Sequence, residues 1–382
     1  FTGNTEIGVY ESLATLGTSN WILGNQLVSG FFPNKIPNPD LKWERTGQFD
    51  IGLDLGLFNN RLRITTDYYK KKTTDLLYSV AVPATSGYQT MLKNIGSIEN
   101  QGYELSIESD NLTGAFSWTT AFNIAFNRNK VLELGGEEYK EMAEGDGHLK
   151  TGSVRRLIVG EPIGVFYGYR FDGIFQNEEE CKQQTSSASP IGVGLRRYKD
   201  LNGDGKVDAA NDREILGDAN PKFFGGLTNT FAYKGFELNV FLQYSYGNKI
   251  LNYNAMELEN PTGGQNAYAD MVNRWTPENP SNIYPKATTN RALLVSDRFI
   301  EDGSYLKLKT LSLSYSFPKI NLKHIQGLRL YVTGQNLLTW TKYRGYDPEV
   351  SYRGASTLEA GEDFGGYPQS RTFMFGIKLD IK

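Results

Sequence analysis

Apolar side chains recur at every second position through much of the chain, and this period limits what it can fold into. From Phe49 to Leu57 the apolar residues alternate with Asp and Gly. A period of two puts each set on one face of a β-strand, whereas a helix needs a period near 3.6. The pattern predicts an all-β fold with nine strands, near 47–58, 61–72, 99–109, 115–128, 223–233, 236–247, 305–317, 327–340 and 371–382.

The apolar rows carry no charged residue, which favours a membrane sheet over a soluble sandwich. One Arg or Lys at the bilayer midplane would cost roughly 2–4 kcal/mol. Several segments have the roughly 9–11 residues that a tilted strand needs to cross a membrane, and aromatic residues such as Tyr68 and Tyr315 crowd the row ends, where lipid headgroups would meet them. No apolar run is long enough for a membrane helix. The strand near 223–233 is less regular, since Asn229 falls on its apolar row. We therefore expect a transmembrane antiparallel β-barrel.

The connections between the predicted strands are of two kinds. Tight turns are expected at Asn59-Asn60, Asp110 to Gly114 and Tyr233 to Gly235. Long polar loops join the other ends, over 75–98, 129–222, 247–300 and 342–370. Short periplasmic turns and long extracellular loops are typical of outer-membrane barrels. The segment 163–175 also alternates, but a further membrane strand would break the up-and-down order, so we place it in the extracellular loop as a hairpin.

Charge, Cys and His content argue against several other classes of protein. The 40 basic and 43 acidic residues give no excess that would point to nucleic acid. The single Cys181 cannot form an internal disulfide and has no zinc-site spacing around it. We place His148 and His324 at opposite ends of the sheet, and no hydrolase, nucleotide-binding or zinc-protease motif occurs. The sequence therefore predicts no enzyme.

Five stretches together resemble the SusC/RagA family of TonB-dependent outer-membrane transporters. They are IPNPDLKWERTGQFDIGLDLGLFNNRL, GSIENQGYELSIESD, EPIGVFYGYRFDGIF, DLNGDGKVDAANDREILGDANPKFFGGLTNTF and VTGQNLLTWTKYRGYDPEV. The resemblance runs almost end to end and in order. It implies a Gram-negative outer-membrane barrel of about twenty-two strands around a plug domain. Residues 1–382 would be its C-terminal portion, about nine strands, with 1–45 and 129–222 mainly extracellular loop and with the plug and TonB box outside this chain. Because an open sheet edge is not tolerated in lipid, we expect upstream residues to complete the wall.

The resemblance also implies a function and partners. The whole protein would import oligosaccharides or peptides actively, driven by the TonB complex through the N-terminal part, beneath a SusD-like surface lipoprotein that acts as a lid. Outer-membrane lipid would surround it, and no cofactor would be required. Two alternatives stay open, which are a passive porin and a surface carbohydrate-binding or adhesin β-protein.

Two loop regions contain candidate binding residues. The loop 247–300 holds aromatic residues among Asn, Gln and Asp, a mixture that can stack on sugar rings or contact peptides. The candidates there are Tyr253, Tyr268, Trp275 and Tyr284. The alternative is that these rings pack the loop against itself or against the lid.

The loop 200–212 matches the first nine positions of an EF-hand-like calcium loop. Oxygen donors alternate along it, and Gly205 permits the sharp turn. The candidate Ca²⁺ ligands are Asp200, Asn202, Asp204 and Asp208. The twelfth position is Asn211 instead of an acid, with Asp212 one place late, which weakens the cage. The alternative is an Asx-rich loop held by its own side-chain to backbone hydrogen bonds.

Overall fold

The structure, a computed structural model, describes residues 2–3, 12–88, 90–142, 149, 151–260, 266–289, 293–317, 325–349, 351–352, 354 and 357–381. Nearly all of their regular structure is β-strand, which confirms the all-β prediction. None of the helices in these ranges has the length and apolar character needed to cross a membrane. His148 and His324 lie outside the described residues.

One large antiparallel sheet, here called the wall, contains ten strands of the described residues, and the strands are numbered in chain order. In their order across the sheet they are β1 (Thr2–Gly3), β4 (Arg45–Leu57), β5 (Leu62–Thr74), β8 (Ser97–Thr113), β9 (Phe116–Glu133), β18 (Phe223–Tyr233), β19 (Phe236–Tyr246), β22 (Tyr305–Ser316), β23 (Ile325–Thr341) and β25 (Thr372–Ile381). The nine predicted strands are confirmed. The tenth, β1, was missed because two residues are too few to show a period.

The two faces of the wall differ in chemistry. On the outward face the predicted apolar rows are not covered by a second layer, and Phe49, Ile51 and Phe375 are 60%, 61% and 81% exposed. On the inward face polar side chains bond to one another. Arg63 donates to Glu108 at 3.0 Å, and Thr65 donates to Asp54 at 2.6 Å. A wall with one apolar face and one hydrogen-bonded polar face suits lipid outside and water or protein inside.

Asn229, the polar residue on an apolar row, has partners for its carbonyl oxygen. Its Oδ1 accepts hydrogen bonds from Trp118 Nε1 at 2.9 Å and from Thr120 Oγ1 at 2.7 Å, both on the neighbouring strand β9. A buried polar group costs free energy chiefly when it lacks such partners. The interruption is therefore compatible with a membrane face.

The tight turns lie at one end of the wall. Asn59 and Asn60 have φ of 57° and 61°, as their positions predicted. Lys234 and Gly235 have φ of 46° and 88° and join β18 to β19 in two residues, where a Cβ on Gly235 would come within 2.6 Å of the carbonyl oxygen of Ser316. The predicted turn from Asp110 to Gly114 is wrong in extent. Strand β8 continues through Thr113, with a β-bulge between Asp110 and Leu112. A β-bulge accommodates one extra residue in a strand without ending its pairing with the neighbouring strand.

The remaining strands form small sheets outside the wall. They are β2 (Thr15–Leu23) with β3 (Gln26–Lys35); β6 (Leu77–Ala81) with β7 (Thr90–Asn94); β10 (Tyr139–Glu141), β11 (Arg155–Ile158), β12 (Val165–Tyr169) and β17 (Arg213–Gly217); β13 (Phe171–Ile174) with β15 (Arg196–Tyr198); β14 (Thr185–Ser186) with β16 (Lys206–Val207); and β20 (Lys249–Asn252), β21 (Ile300–Asp302) and β24 (Glu362–Asp363).

The segment 163–175 lies outside the wall, as predicted, but it is not a hairpin. Its first half, β12, pairs with β11 and β17, whereas its second half, β13, pairs with β15. Each half pairs with a strand that is farther away in sequence than the other half. Only Arg170 separates the two halves, and one residue is too short a connection to reverse the direction of the chain.

The described residues of 139–217, 247–304 and 342–371, here called the loop body, pack together at the end of the wall with the long connections. They contain two short α-helices, α1 (Glu178–Gln183) and α2 (Tyr253–Leu258), and the 3₁₀ turns Ala269–Asn273, Asp297–Phe299 and Thr357–Glu359, while a further 3₁₀ turn, Ala84–Ser86, lies outside the loop body. The main hydrophobic core lies here, and its members are Leu149, Val154, Phe166, Leu251, Tyr253, Ala255, Met256, Leu293, Val295 and Phe299. The long loops are therefore a packed unit.

Candidate ligand-contacting surface of the loop body

Tyr253 is the first residue of α2, and it lies inside the core. Asn252 caps this helix, since its Oδ1 accepts from the backbone N–H of Ala255 at 2.9 Å. The ring of Tyr253 is fully buried and packs edge-on against Phe364, with 6.0 Å between ring centroids. The prediction that Tyr253 contacts a ligand is corrected, because the hydrophobic core covers the ring and a ligand has no access to it.

The other three predicted aromatic residues lie together at the edge of this core, only partly buried. Trp275 is not a member of the core. Its Nε1 donates to the side-chain oxygen of Gln176 at 3.1 Å, and its backbone N–H donates to the carbonyl oxygen of Tyr284 at 3.0 Å. The hydroxyl of Tyr284 donates to Asp270 at 3.3 Å. Tyr268 packs against the core from outside. Their rings are held in place yet keep exposed area, so a ligand role for them stays a prediction.

A fourth ring, Tyr346, belongs with this group. It is 81% exposed. Two residues before it, Arg344 pairs at 2.7 Å with Glu259, next to Leu258, whose carbonyl oxygen accepts from the backbone N–H of Tyr268 at 3.1 Å. The next residue, Asp347, is buried and accepts from Lys307 Nζ at 2.6 Å, which fixes the chain and leaves the Tyr346 ring outside. We call Tyr268, Trp275, Tyr284 and Tyr346 the aromatic rim. The sequence gives no specific signal for Tyr346, because an acidic residue next to an aromatic residue is too general a pattern to mark a site.

A charged network lies beneath the aromatic rim. The fully buried Glu259 pairs with Arg298 at 2.6 Å and with Arg344 at 2.7 Å, and Arg344 also pairs with Glu301 at 2.8 Å. Burial, and then the nearby carboxylate of Asp270, raise the pKa of Tyr284, so its hydroxyl stays a hydrogen-bond donor at neutral pH. The network joins segments that are far apart in sequence and so fixes the positions of the rings above it.

Tyr343, two residues beyond the end of β23, belongs to the packed loop body. It is buried, and its hydroxyl donates to the carboxylate of Asp363. Burial and this hydrogen bond raise its pKa above the ordinary range. Trp340, at the end of β23, is 51% exposed and suits an aromatic belt at the membrane surface.

The carboxylates of the predicted calcium loop accept backbone hydrogen bonds. Asp200 accepts from the N–H groups of Gly203 and Gly205, both at 2.7 Å, and Asp204 accepts from that of Lys206 at 2.8 Å. The backbone N–H of Asn211 lowers the pKa of Asp208. Within the described ranges, no three His, Cys, Asp or Glu side chains converge as metal ligands. These contacts match the Asx-rich alternative, and Ca²⁺ binding, including any part for Asn202, stays a prediction.

The comparisons with known proteins agree on one family, the TonB-dependent receptors. The family of TonB-dependent receptor-like β-barrels matches residues 10–337. The TonB-dependent receptor P3 of Formosa agariphila is 40% identical over 99% of this chain and 38% of its own length. The TonB-dependent receptor SusC of Bacteroides thetaiotaomicron is 30% identical over 91% of this chain and 33% of its own length.

A structure of the RagAB peptide transporter superposes with a TM-score of 0.78 at 28% identity, covering 99% of this chain and 40% of that one. The chain thus spans about two fifths of the length of the curated relatives, 38% for the first of them. From the match over residues 10–337 and these relatives, the chain belongs to the TonB-dependent receptor β-barrel family and is a SusC/RagA-type part of a Gram-negative outer-membrane β-barrel.

Proposed function

We propose that the whole protein imports oligosaccharides or peptides actively across the outer membrane, driven by TonB. The observation that carries this proposal is a membrane wall whose polar inner side meets a packed loop body with an aromatic rim. Membership of the TonB-dependent receptor family supports energised import, and the likeness to the RagAB peptide transporter supports peptides as one class of nutrient. Oligosaccharides are the other class that the resemblance to the SusC/RagA family implies.

In this proposal the chain is the C-terminal portion of the transporter and supplies wall, loops and no covalent chemistry. A plug and TonB box would come from the part outside this chain, and a SusD-like lipoprotein would close over the loop body. The relatives named above are described as receptors and transporters.

The aromatic rim suits either class of ligand. Aromatic faces stack on sugar rings, and they also pack against peptide side chains. The carboxylate of Asp270 lies at the rim, hydrogen-bonded to Tyr284, and can accept from sugar hydroxyls or from a peptide ammonium group.

Uptake by the full-length transporter in its own cells tests the proposal. We expect uptake of labelled oligosaccharides or peptides to stop when TonB is deleted, and the double change Tyr268→Ala and Tyr346→Ala to weaken ligand binding. The matched control is Val272→Ala, an exposed apolar residue of the same loop. Uptake that survives loss of TonB would indicate a passive porin, and binding without any uptake would indicate an adhesin.

A further inference from the structure

Five basic residues cluster on the outward face of the wall, near the end with the long connections. The strand register places Phe49, Lys70, Gln101 and Arg128 in one row across β4, β5, β8 and β9, and Gly47, Lys72, Glu99 and Lys130 in the next row. Arg45 follows on β4, opposite Thr74. Since alternate residues share a face, these rows lie on the same side as the apolar row of Ile51 and Tyr68. We call Arg45, Lys70, Lys72, Arg128 and Lys130 the basic patch.

The basic patch keeps most of its charge unneutralised. Lys70 pairs with Glu99 at 3.1 Å, and Arg45 pairs with Asp75 at 2.7 Å. Lys72, Arg128 and Lys130 are exposed and form no ion pair within the part of the chain that the structure describes. Like charges gathered on neighbouring strands repel one another. Three unpaired cations in this arrangement are more readily explained by an anionic partner than by the stability of the wall.

The height of the basic patch on the wall indicates what that partner is. The row directly below it contains Ile51, Tyr68, Tyr103 and Phe126, which continue into the uncovered apolar face. Successive rows on one face are about 7 Å apart. The patch therefore begins where the hydrocarbon-facing surface ends, at the level of lipid headgroups, and Lys and Arg there can keep their charges among polar groups while their stems lie along apolar surface.

The rest of the wall lacks an equivalent cluster among the described residues. At the same end of β19, β22 and β23 the outward rows finish on Tyr246, Leu306 and Trp340, which are exposed and uncharged. A general requirement for cations at the membrane surface would spread them around the wall. Here they are confined to the strands β4, β5 and β9. Arg128, Lys130 and Lys222 line a concavity of ≈ 420 Å³ that also contains the carboxylates of Glu99 and Asp218.

We propose that the basic patch binds the phosphate-bearing headgroup of an outer-leaflet lipid. Arg offers paired N–H donors that match phosphate oxygens, and Lys adds compact positive charge. The acyl chains of the same lipid would lie against the apolar row that begins at Tyr68 and Tyr103. The headgroup and the chains would thus each meet a surface of matching chemistry within one site.

Lipid binding to the purified full-length transporter tests this proposal, with phosphatidic acid as the probe and phosphatidylcholine as the competing lipid, measured by native mass spectrometry. The test variant carries Lys72→Gln, Arg128→Gln and Lys130→Gln. The control carries Lys71→Gln, Lys182→Gln and Lys199→Gln, three exposed lysines outside the patch, of which Lys71 points inward between two patch lysines. At about fivefold for each basic residue, we expect the test variant to bind phosphatidic acid roughly 100-fold more weakly, and the control to bind as the unmodified protein does.

Three results would overturn the proposal. The first is equal phosphatidic acid binding by the test variant and the control. The second is displacement of the lipid by millimolar inorganic phosphate, which would indicate a site for free phosphate. The third concerns the unmodified protein and does not depend on whether the variant folds. Because salt screens exposed charges, phosphatidic acid should be released at high salt, and its retention there would indicate that the acyl chains alone hold it.

Discussion

An arginine placed at the centre of the outward face should destabilise the wall far more than one placed beside it on the inward face. Leu105 lies in the middle of the seventeen-residue strand β8, opposite Thr66 and Ile124 on the outward face, and Ser106 faces inward. In hydrocarbon, Leu105→Arg is expected to cost roughly 2–4 kcal/mol, which is roughly a 30- to 700-fold change in the folding equilibrium. Ser106→Arg leaves its charge in the polar interior and should cost far less.

The assay is reversible unfolding of the full-length protein from lipid vesicles in denaturant, followed by the electrophoretic shift between folded and unfolded barrels. Gln101→Arg, two rows higher on the same face of β8, supplies a depth control and is expected to cost only about 0–1 kcal/mol. If Leu105→Arg and Ser106→Arg were equally harmful, the assignment of the outward face to lipid would be refuted. A cost that did not depend on depth would point to a soluble core instead.

Three further predictions concern polar groups. Asn229→Leu should destabilise the wall in the same unfolding assay by roughly 1–3 kcal/mol, because the indole N–H of Trp118 and the hydroxyl of Thr120 lose their acceptor on a face that meets lipid. Glu362→Gln should destabilise the loop body by roughly 3–5 kcal/mol, because it leaves the buried guanidinium of Arg155, now paired with Glu362 at 2.8 Å, without a counter-charge. Limited proteolysis should then cleave the loop body faster. The control Asp172→Asn, which breaks the exposed pair with Arg197, should cost about 0–1 kcal/mol. Because the pKa of Asp208 is lowered, its carboxylate stabilises the loop fully above the ordinary aspartate pKa, and this stabilisation is lost as the pH falls through the lowered pKa. Amide hydrogen exchange of the loop 200–212, measured across the acid range, checks this.

Each of these predictions has an outcome that contradicts it. Unchanged stability of Asn229→Leu would mean that lipid does not surround this row. Equal proteolysis of Glu362→Gln and Asp172→Asn would show that the buried pair does not hold the loop body together. For the calcium loop, amide exchange in Asp208→Asn that matched the unmodified protein at every acidic pH would show that the Asp208 carboxylate does not order the loop. Slower exchange on addition of Ca²⁺ would support the predicted ion.

The parts of the fold that depend on neighbours in sequence could be predicted well. Each wall strand except the two-residue β1 shows its two faces within its own residues, and Asn59-Asn60 and Lys234-Gly235 carry the positive φ that their turns require. The loop body could not be predicted in this way. Arg155 and Glu362, its buried pair, are separated by 207 residues, and no local pattern announces such a contact.

The candidate site shows the same division. Composition and spacing marked the aromatic residues of the loop 247–300, but they could not distinguish Tyr253, which is buried, from Tyr284, which keeps exposed surface. Tyr346 became part of the aromatic rim only through the burial of Asp347 beside it, against Lys307 from a strand far away in sequence.

By itself, the sequence determined that this chain makes long antiparallel strands with one charge-free face, because a period of two acts within each strand and needs no distant contact. The tertiary structure decided which long-loop residues pack into a core, which rings stay exposed, and how basic residues from separate strands come to share one level of the outward face. Burial and strand register bring together residues that are far apart in the chain, so these outcomes appear only once the strands and loops have found their partners.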